Sequence, residues 1–221
     1  MISNDTLILI AVAIIPVIYA IVLHEIAHGW VAYKLGDNTA KQLGRLSINP
    51  FKHIDPIGTV LVPVLMIVTL GFAFGWAKPV PVDWRKLNRP KQDMVYVAAA
   101  GPFANLLMII FWGVLAKIVI SVSTSGSSDI ASILLLMAMF GIGVNLVLML
   151  LNLIPVPPLD GGRIAVGLLP MKYASYLARI ERFGLLTIVL ILVLLNQVFA
   201  NEVNGFLLGL INFVRNLFGL G

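Results

Sequence analysis

The chain of 221 residues has no cysteine and little charge, with 15 Lys and Arg and 10 Asp and Glu making up 11% of it. Without cysteine there is no disulfide and no thiolate metal site. So few charges cannot cover a soluble domain of this length, and hydrophobic residues supply 60% of the sequence. Mean hydropathy is +1.01, and several runs approach or exceed the roughly 20 apolar residues that span a bilayer. No basic stripe interleaved with aromatic residues is present, so the net charge of +5 does not point to nucleic acid. No basic run precedes the first apolar segment and no cleavage site follows it, which argues against a removable signal peptide.

What is there is a series of apolar segments at about 7–33, 57–75, 94–120, 130–155, 183–199 and 204–219. The connecting stretches 34–56, 76–93 and 160–182 hold most of the Lys and Arg, whereas 1–6, 121–129 and 200–203 hold none. The first set reads as cytoplasmic and the second as external. An all-α polytopic membrane protein is expected, with about five transmembrane helices and a re-entrant segment at 57–75. The stretch "GFAFGWAKPVPVD" is too rich in Gly and Pro for a regular helix, and a small strand-like element at the membrane surface is expected there.

The first apolar segment ends in "IVLHEIAHGW", residues 21–30. On a helix, His24 and His28 lie about 40° apart around the axis, on one face, at a spacing that a single Zn²⁺ bridges. Glu25 lies beside them, where it can act as a general base without being a ligand. Counting from Leu7, His24 lies about 26 Å along the helix, in the cytoplasmic third of a roughly 30 Å hydrocarbon core. A bland alternative is a polar cluster at a helix end. Ionisable residues at membrane depth are, however, functional by default.

A hydrolytic zinc site normally takes three protein ligands and leaves a fourth position open. The remaining histidine, His53, sits in the polar loop "INPFKHIDPIG" and is the weaker candidate. Asp160, in "NLIPVPPLDGGRI", follows a long apolar segment. Its prolines and Gly161–Gly162 imply irregular backbone near the membrane, which is tolerated only where it lines a cavity or is buried in protein. A helix-capping Asp is the alternative there.

HEIAH in an apolar helix, "AAAGPFANLL" (98–107) and "NLIPVPPLDGGR" (152–163) together resemble the site-2 protease family of intramembrane zinc metalloproteases. The resemblance covers roughly residues 20–165. The loops "GRLSINPFKHIDPIG" and "GWAKPVPV" resemble the small subgroup without PDZ or CBS domains. The family implies that His24, His28 and Asp160 hold about one Zn²⁺ per chain and that Glu25 is the catalytic base. It also implies that Asn105 and Asn152 line the site, holding an unwound substrate strand or the oxyanion. The alternatives are an interhelical hydrogen bond for Asn105 and a helix cap for Asn152. Residues 98–101 read most simply as a small-residue face that lets the third segment approach the first closely.

Together these features imply one membrane-embedded domain over 1–221, with a catalytic core at about 7–165 and a C-terminal helical hairpin at about 181–219. The expected reaction is hydrolysis of peptide bonds within or beside transmembrane segments of other proteins, as in regulated intramembrane proteolysis. The expected location is the cell membrane, with the site towards the cytoplasm and the bilayer and a transmembrane protein substrate as partners. A metal-ion transporter and a non-catalytic scaffold are the alternatives; a transporter would more often show paired repeats, and none is visible.

Overall fold

The computed structural model describes residues 4–62, 65, 68, 77–123, 129–184, 187, 190 and 200–220. Helix α1 (Asn4–Lys34) is followed by a single turn, α2 (Thr39–Gln42). The long helices α3 (Pro90–Val122) and α4 (Asp129–Asn152) come next. Three shorter helices complete the order: α5 (Asp160–Leu168), α6 (Met171–Ala178) and α7 (Ala200–Leu217). Tight 3₁₀ turns occupy Pro50–His53, Trp84–Lys86 and Arg179–Phe183, and a π-helical turn occupies Pro56–Leu61.

The fold is all-α and of membrane type. Ala11–Lys34, Pro90–Val122 and Asp129–Asn152 are long and apolar enough to cross a bilayer. Most of the apolar segments 57–75 and 183–199 lies outside the described residues. No strand occurs among the described residues, so the strand-like surface element is not seen. Residues 77–83 are irregular instead, and 75–76 lie outside the described residues.

Burial along α3 runs opposite to that of a soluble helix. Asp93, Gly101 and Asn105 are buried, while Phe103, Leu107 and Phe111 are more than half exposed. In water such a surface would be an aggregation liability. Against hydrocarbon it is the favoured arrangement, because lipid tails solvate apolar side chains and small or polar residues bring helices together. On the α3–α4 contact, Ile109, Trp112 and Ala116 pack against Ala138, Ile142 and Leu146. The close fit needs Gly141, where an added Cβ would sit 2.4 Å from the Trp112 ring.

Local signals set the helix ends. Helix α1 stops at Gly36, whose φ of +111° suits a residue without a Cβ. The Asp37 amide then donates to Ala32 O over 2.9 Å, satisfying one of the last carbonyls of the helix. Asp37 is fully buried, and its carboxylate accepts from Thr39 and, over 2.7 Å, from the Asp83 amide. That bond fastens the chain entering α3 to the end of α1. Helix α3 starts at Pro90, and Asp93 caps it by accepting from the Arg89 amide over 2.7 Å. Helices α1 and α3 lie side by side and antiparallel, since His28 meets Val97 while His24 meets Asn105.

Candidate metal centre

Three side chains from two distant parts of the chain converge where α1, α3 and the start of α5 meet. His24 Nε2 lies 3.0 Å from His28 Nε2. Asp160 Oδ2 lies 3.1 Å from the first and 3.3 Å from the second. All three residues are largely withdrawn from solvent.

The hydrogen bonds behind the rings determine what faces the centre. His24 Nδ1 donates to Asn105 Oδ1 over 2.6 Å, and His28 Nδ1 donates to the Val97 carbonyl over 2.7 Å. Both acceptors are carbonyl oxygens, so each Nδ1 carries a proton and each Nε2 is the atom left to face the centre. Asp160 Oδ2 is buried and has no hydrogen-bond donor. His24 Nε2, His28 Nε2 and Asp160 Oδ2 therefore point at one small volume. Without a proton or a cation between them, these atoms would repel one another.

A cation resolves it. Zn–N and Zn–O distances near 2.0–2.2 Å place neighbouring ligands of a tetrahedral site about 3.3–3.4 Å apart. The observed 3.0–3.3 Å separations are close to that, so the residues present fit the group. His24, His28 and Asp160 are also the group of metal-ligating side chains that converges among the described residues.

Asp160 comes to the histidines through a short irregular turn. After α4 ends at Asn152, residues 153–159 fold back so tightly that a Cβ at Gly161 would meet Leu153 O at 2.3 Å. One at Gly162 would meet Pro157 N at 2.1 Å. Asp160 is the first helical residue of α5, and its carboxylate turns to the histidines. On the opposite side Gly101 of α3 lies flat against the imidazoles, and an added Cβ would sit 2.4 Å from His28 Nε2. The small-residue face thus allows the close helix approach expected of it, and Gly101 additionally leaves room for the rings.

Glu25 follows His24 on α1, and its Oε2 accepts from the Val80 amide over 2.7 Å. Asn105 is fully buried and uses both ends of its amide. Its oxygen accepts from His24 Nδ1, while Nδ2 donates to Ala20 O at 3.2 Å and to Asn145 Oδ1 at 2.9 Å. Asn145 in turn donates to Gly141 O over 2.8 Å. A polar chain thereby runs from α4 through α3 to the metal-facing histidine. Asn152 closes the end of α4, with Nδ2 donating to Leu148 O at 3.0 Å. His53 is buried in its loop, its Nε2 bonded to Ser47 O at 2.9 Å, and it takes no part in the cluster.

Sequence reasoning missed Asn145 and the Val97 carbonyl. A lone asparagine in the apolar run "GIGVNLVLML" is a readable signal, since an amide at membrane depth needs a partner. A backbone carbonyl has no residue type to betray it.

A family model described as "Peptidase family M50" matches residues 115–195, a stretch that includes Asp160. The chain is similar to "Putative zinc metalloprotease YwhC" of Bacillus subtilis (strain 168), 37% identical over 187 residues, 81% of this chain and 79% of that protein. It is also similar to "Putative zinc metalloprotease Rip2" of Mycolicibacterium smegmatis, 30% identical over 174 residues, 77% of this chain and 62% of that protein. No solved structure matches it. The site belongs to a membrane-embedded metallopeptidase class. The chain is a member of peptidase family M50, the site-2 protease family of zinc metalloproteases.

Proposed function

We propose that this protein is an intramembrane zinc protease that hydrolyses peptide bonds within or beside transmembrane segments of other membrane proteins. His24, His28 and Asp160 hold about one zinc ion, and Glu25 is the general base. The observation that carries the reading is the convergence of His24 Nε2, His28 Nε2 and Asp160 Oδ2 among helices of membrane length.

When bound, zinc would supply Lewis acidity, making water easier to deprotonate and the scissile carbonyl carbon more electrophilic. The protein's own groups do the rest. Asn105 and the Val97 carbonyl hold the two imidazoles in one tautomer and one orientation. Glu25 takes the proton from the attacking water and returns it to the leaving amine. Depth also fits. Trp30, Tyr33, Lys34 and Lys41 cluster at the end of α1, with the Lys34 ammonium 5.4 Å from the Trp30 ring centroid. Such residues favour the headgroup level, and His28 lies six residues, about 9 Å, deeper.

Comparative membrane proteomics of wild type and Glu25→Gln cells tests the reading. Single-span proteins or their stubs are expected to accumulate in the variant; unchanged profiles would count against proteolysis.

The Asn105–Asn145 chain is expected to matter to metal affinity. Outer partners of metal-binding histidines are worth about 10–100-fold in affinity or activity. Asn105→Leu is therefore expected to weaken zinc binding by that factor, measured by competition with a chromophoric chelator. An unchanged affinity would leave Asn105 as interhelical packing alone.

Topology follows from the same contacts. His28 near the end of α1 meets Val97 near the start of α3, which supports residues 35–89 leaving and returning on one side. A re-entrant 57–75 satisfies this and places every basic loop in the cytoplasm. The absence of cysteine lets single cysteines at Ser47, Arg85 and Ser125 be labelled without background. Positions 47 and 85 are expected to react only from the cytoplasm and 125 only from outside; external labelling at 85 would refute the re-entrant path.

A further inference from the structure

Residues 77–83 run beside α1 with four anchors. The Lys78 amide donates to His53 O at 2.8 Å. Arg45 Nη2 donates to the Lys78 and Pro79 carbonyls at 2.8 and 3.3 Å. The Asp83 amide is held by the buried Asp37. Val80 itself is 6% exposed, and its side chain rests on Gly29, the residue after the second histidine. An added Cβ at Gly29 would sit 2.5 Å from Val80 Cγ1 and 2.7 Å from Leu46 Cδ2. Only a residue without a side chain lets Val80 seat this closely.

The flanking residues sharpen what this seat achieves. Pro79 and Pro81 have no N–H, so the Val80 amide is the one donor of the tripeptide. It donates to Glu25 Oε2 over 2.7 Å, a short, charge-assisted bond to a residue 55 positions away. With Lys78 and Val80 both engaged, residues 78–81 keep no free N–H to offer an added substrate strand. The segment is built to serve Glu25.

We infer that the Val80 backbone amide is a positioning group for the catalytic base, held in register by the Gly29 notch. This deepens the protease reading and rests on it. A glutamate side chain has three rotatable bonds, and a fixed N–H donor selects one direction for its carboxylate. The bond occupies Oε2 and leaves Oε1 outside that contact. Misplacing a reacting group by about 1 Å costs roughly 10²-fold in rate, and the effect should fall on kcat rather than on substrate binding.

Two measurements test it. In the first, ¹⁵N-valine-labelled protein in detergent micelles reports the Val80 amide by NMR. A downfield, slowly exchanging resonance is expected in wild type, shifted upfield and exchanging faster in Glu25→Ala; no response to Glu25→Ala would overturn the contact. In the second, zinc content, kcat and KM are measured on a doubly tagged single-span reporter that wild type cleaves. Val80→Pro removes the donor, and Gly29→Ala lifts Val80 from its seat. Each is expected to keep its zinc and KM while kcat falls about 10–100-fold. Val80→Ala added to Gly29→Ala should restore most of kcat, because it returns the missing volume. Wild-type kcat in Val80→Pro, zinc loss in either single variant, or no rescue in the double variant would overturn the inference. A wild type that cleaves no reporter would count against the protease reading, while the amide resonance still decides the contact.

Discussion

Glu25→Gln is expected to keep about one zinc per chain and to lose about 10²–10⁴-fold of its cleavage rate. Glutamine matches glutamate in size and still offers an oxygen to the Val80 amide, so the 2.7 Å contact has a neutral counterpart and the segment over α1 stays seated. The metal-facing atoms belong to His24, His28 and Asp160, so the substitution leaves them in place. What is lost is proton acceptance. A carboxylate can take a proton from water and pass it on, whereas a neutral amide cannot. Purified wild type and variant, compared on one reporter with zinc measured by elemental analysis, give the answer. Full activity in zinc-loaded Glu25→Gln would remove Glu25 from the base role. Inactivity accompanied by zinc loss would instead make Glu25 part of the metal site.

The features most legible in the sequence were those governed by one periodicity. Apolar runs at 7–33, 94–120 and 130–155 correspond to helices Asn4–Lys34, Pro90–Val122 and Asp129–Asn152. Each boundary falls within a few residues because bilayer thickness and charged flanks dictate the length. The i, i+4 spacing placed both histidines on one face, and the proline–glycine turn singled out Asp160 across more than 130 residues. The site's support was less legible for a physical reason. Val97 and Ala20 contribute backbone carbonyls, and a carbonyl is common to every residue. Gly101 and Gly29 contribute the absence of a side chain, which looks the same in sequence as ordinary helix packing.

The expected strand shows where such reading ran short. Alternating prolines in "KPVPV" signal extended backbone correctly, but they also remove the donors a ladder requires. Among the described residues the segment bonds to side chains and loop carbonyls instead. Asn105 is read as lining the site, holding a substrate strand or the oxyanion, with an interhelical hydrogen bond as the alternative; its amide bonds to His24, Ala20 and Asn145.

Removing any one of His24, His28 or Asp160 is expected to strip the protein of zinc. Apparent binding free energies of four-ligand zinc sites run about 10–16 kcal/mol, so one ligand in four is worth roughly 2.5–4 kcal/mol, or about 10²–10³ in affinity. With three protein ligands, as proposed, the loss per ligand should be at least as severe. Alanine at any of the three positions should leave only traces of zinc after dialysis against a weak chelator, where wild type retains about one per chain. Stability offers an independent reading. A metal that binds only the folded state raises the melting temperature by an amount that grows with the logarithm of its affinity, so added zinc should raise Tm in wild type and raise it far less in the alanine variants. Asp160→Ala carries the sharpest version of the test. In metal-free protein its Oδ2 lies buried 3.1 and 3.3 Å from the two Nε2 atoms, where a proton or a cation must offset the burial of its charge. Removing that carboxylate should therefore take away much of the zinc-dependent gain in stability. Full zinc in Asp160→Ala, or an undiminished rise in Tm on adding zinc, would exclude Asp160 as the third ligand.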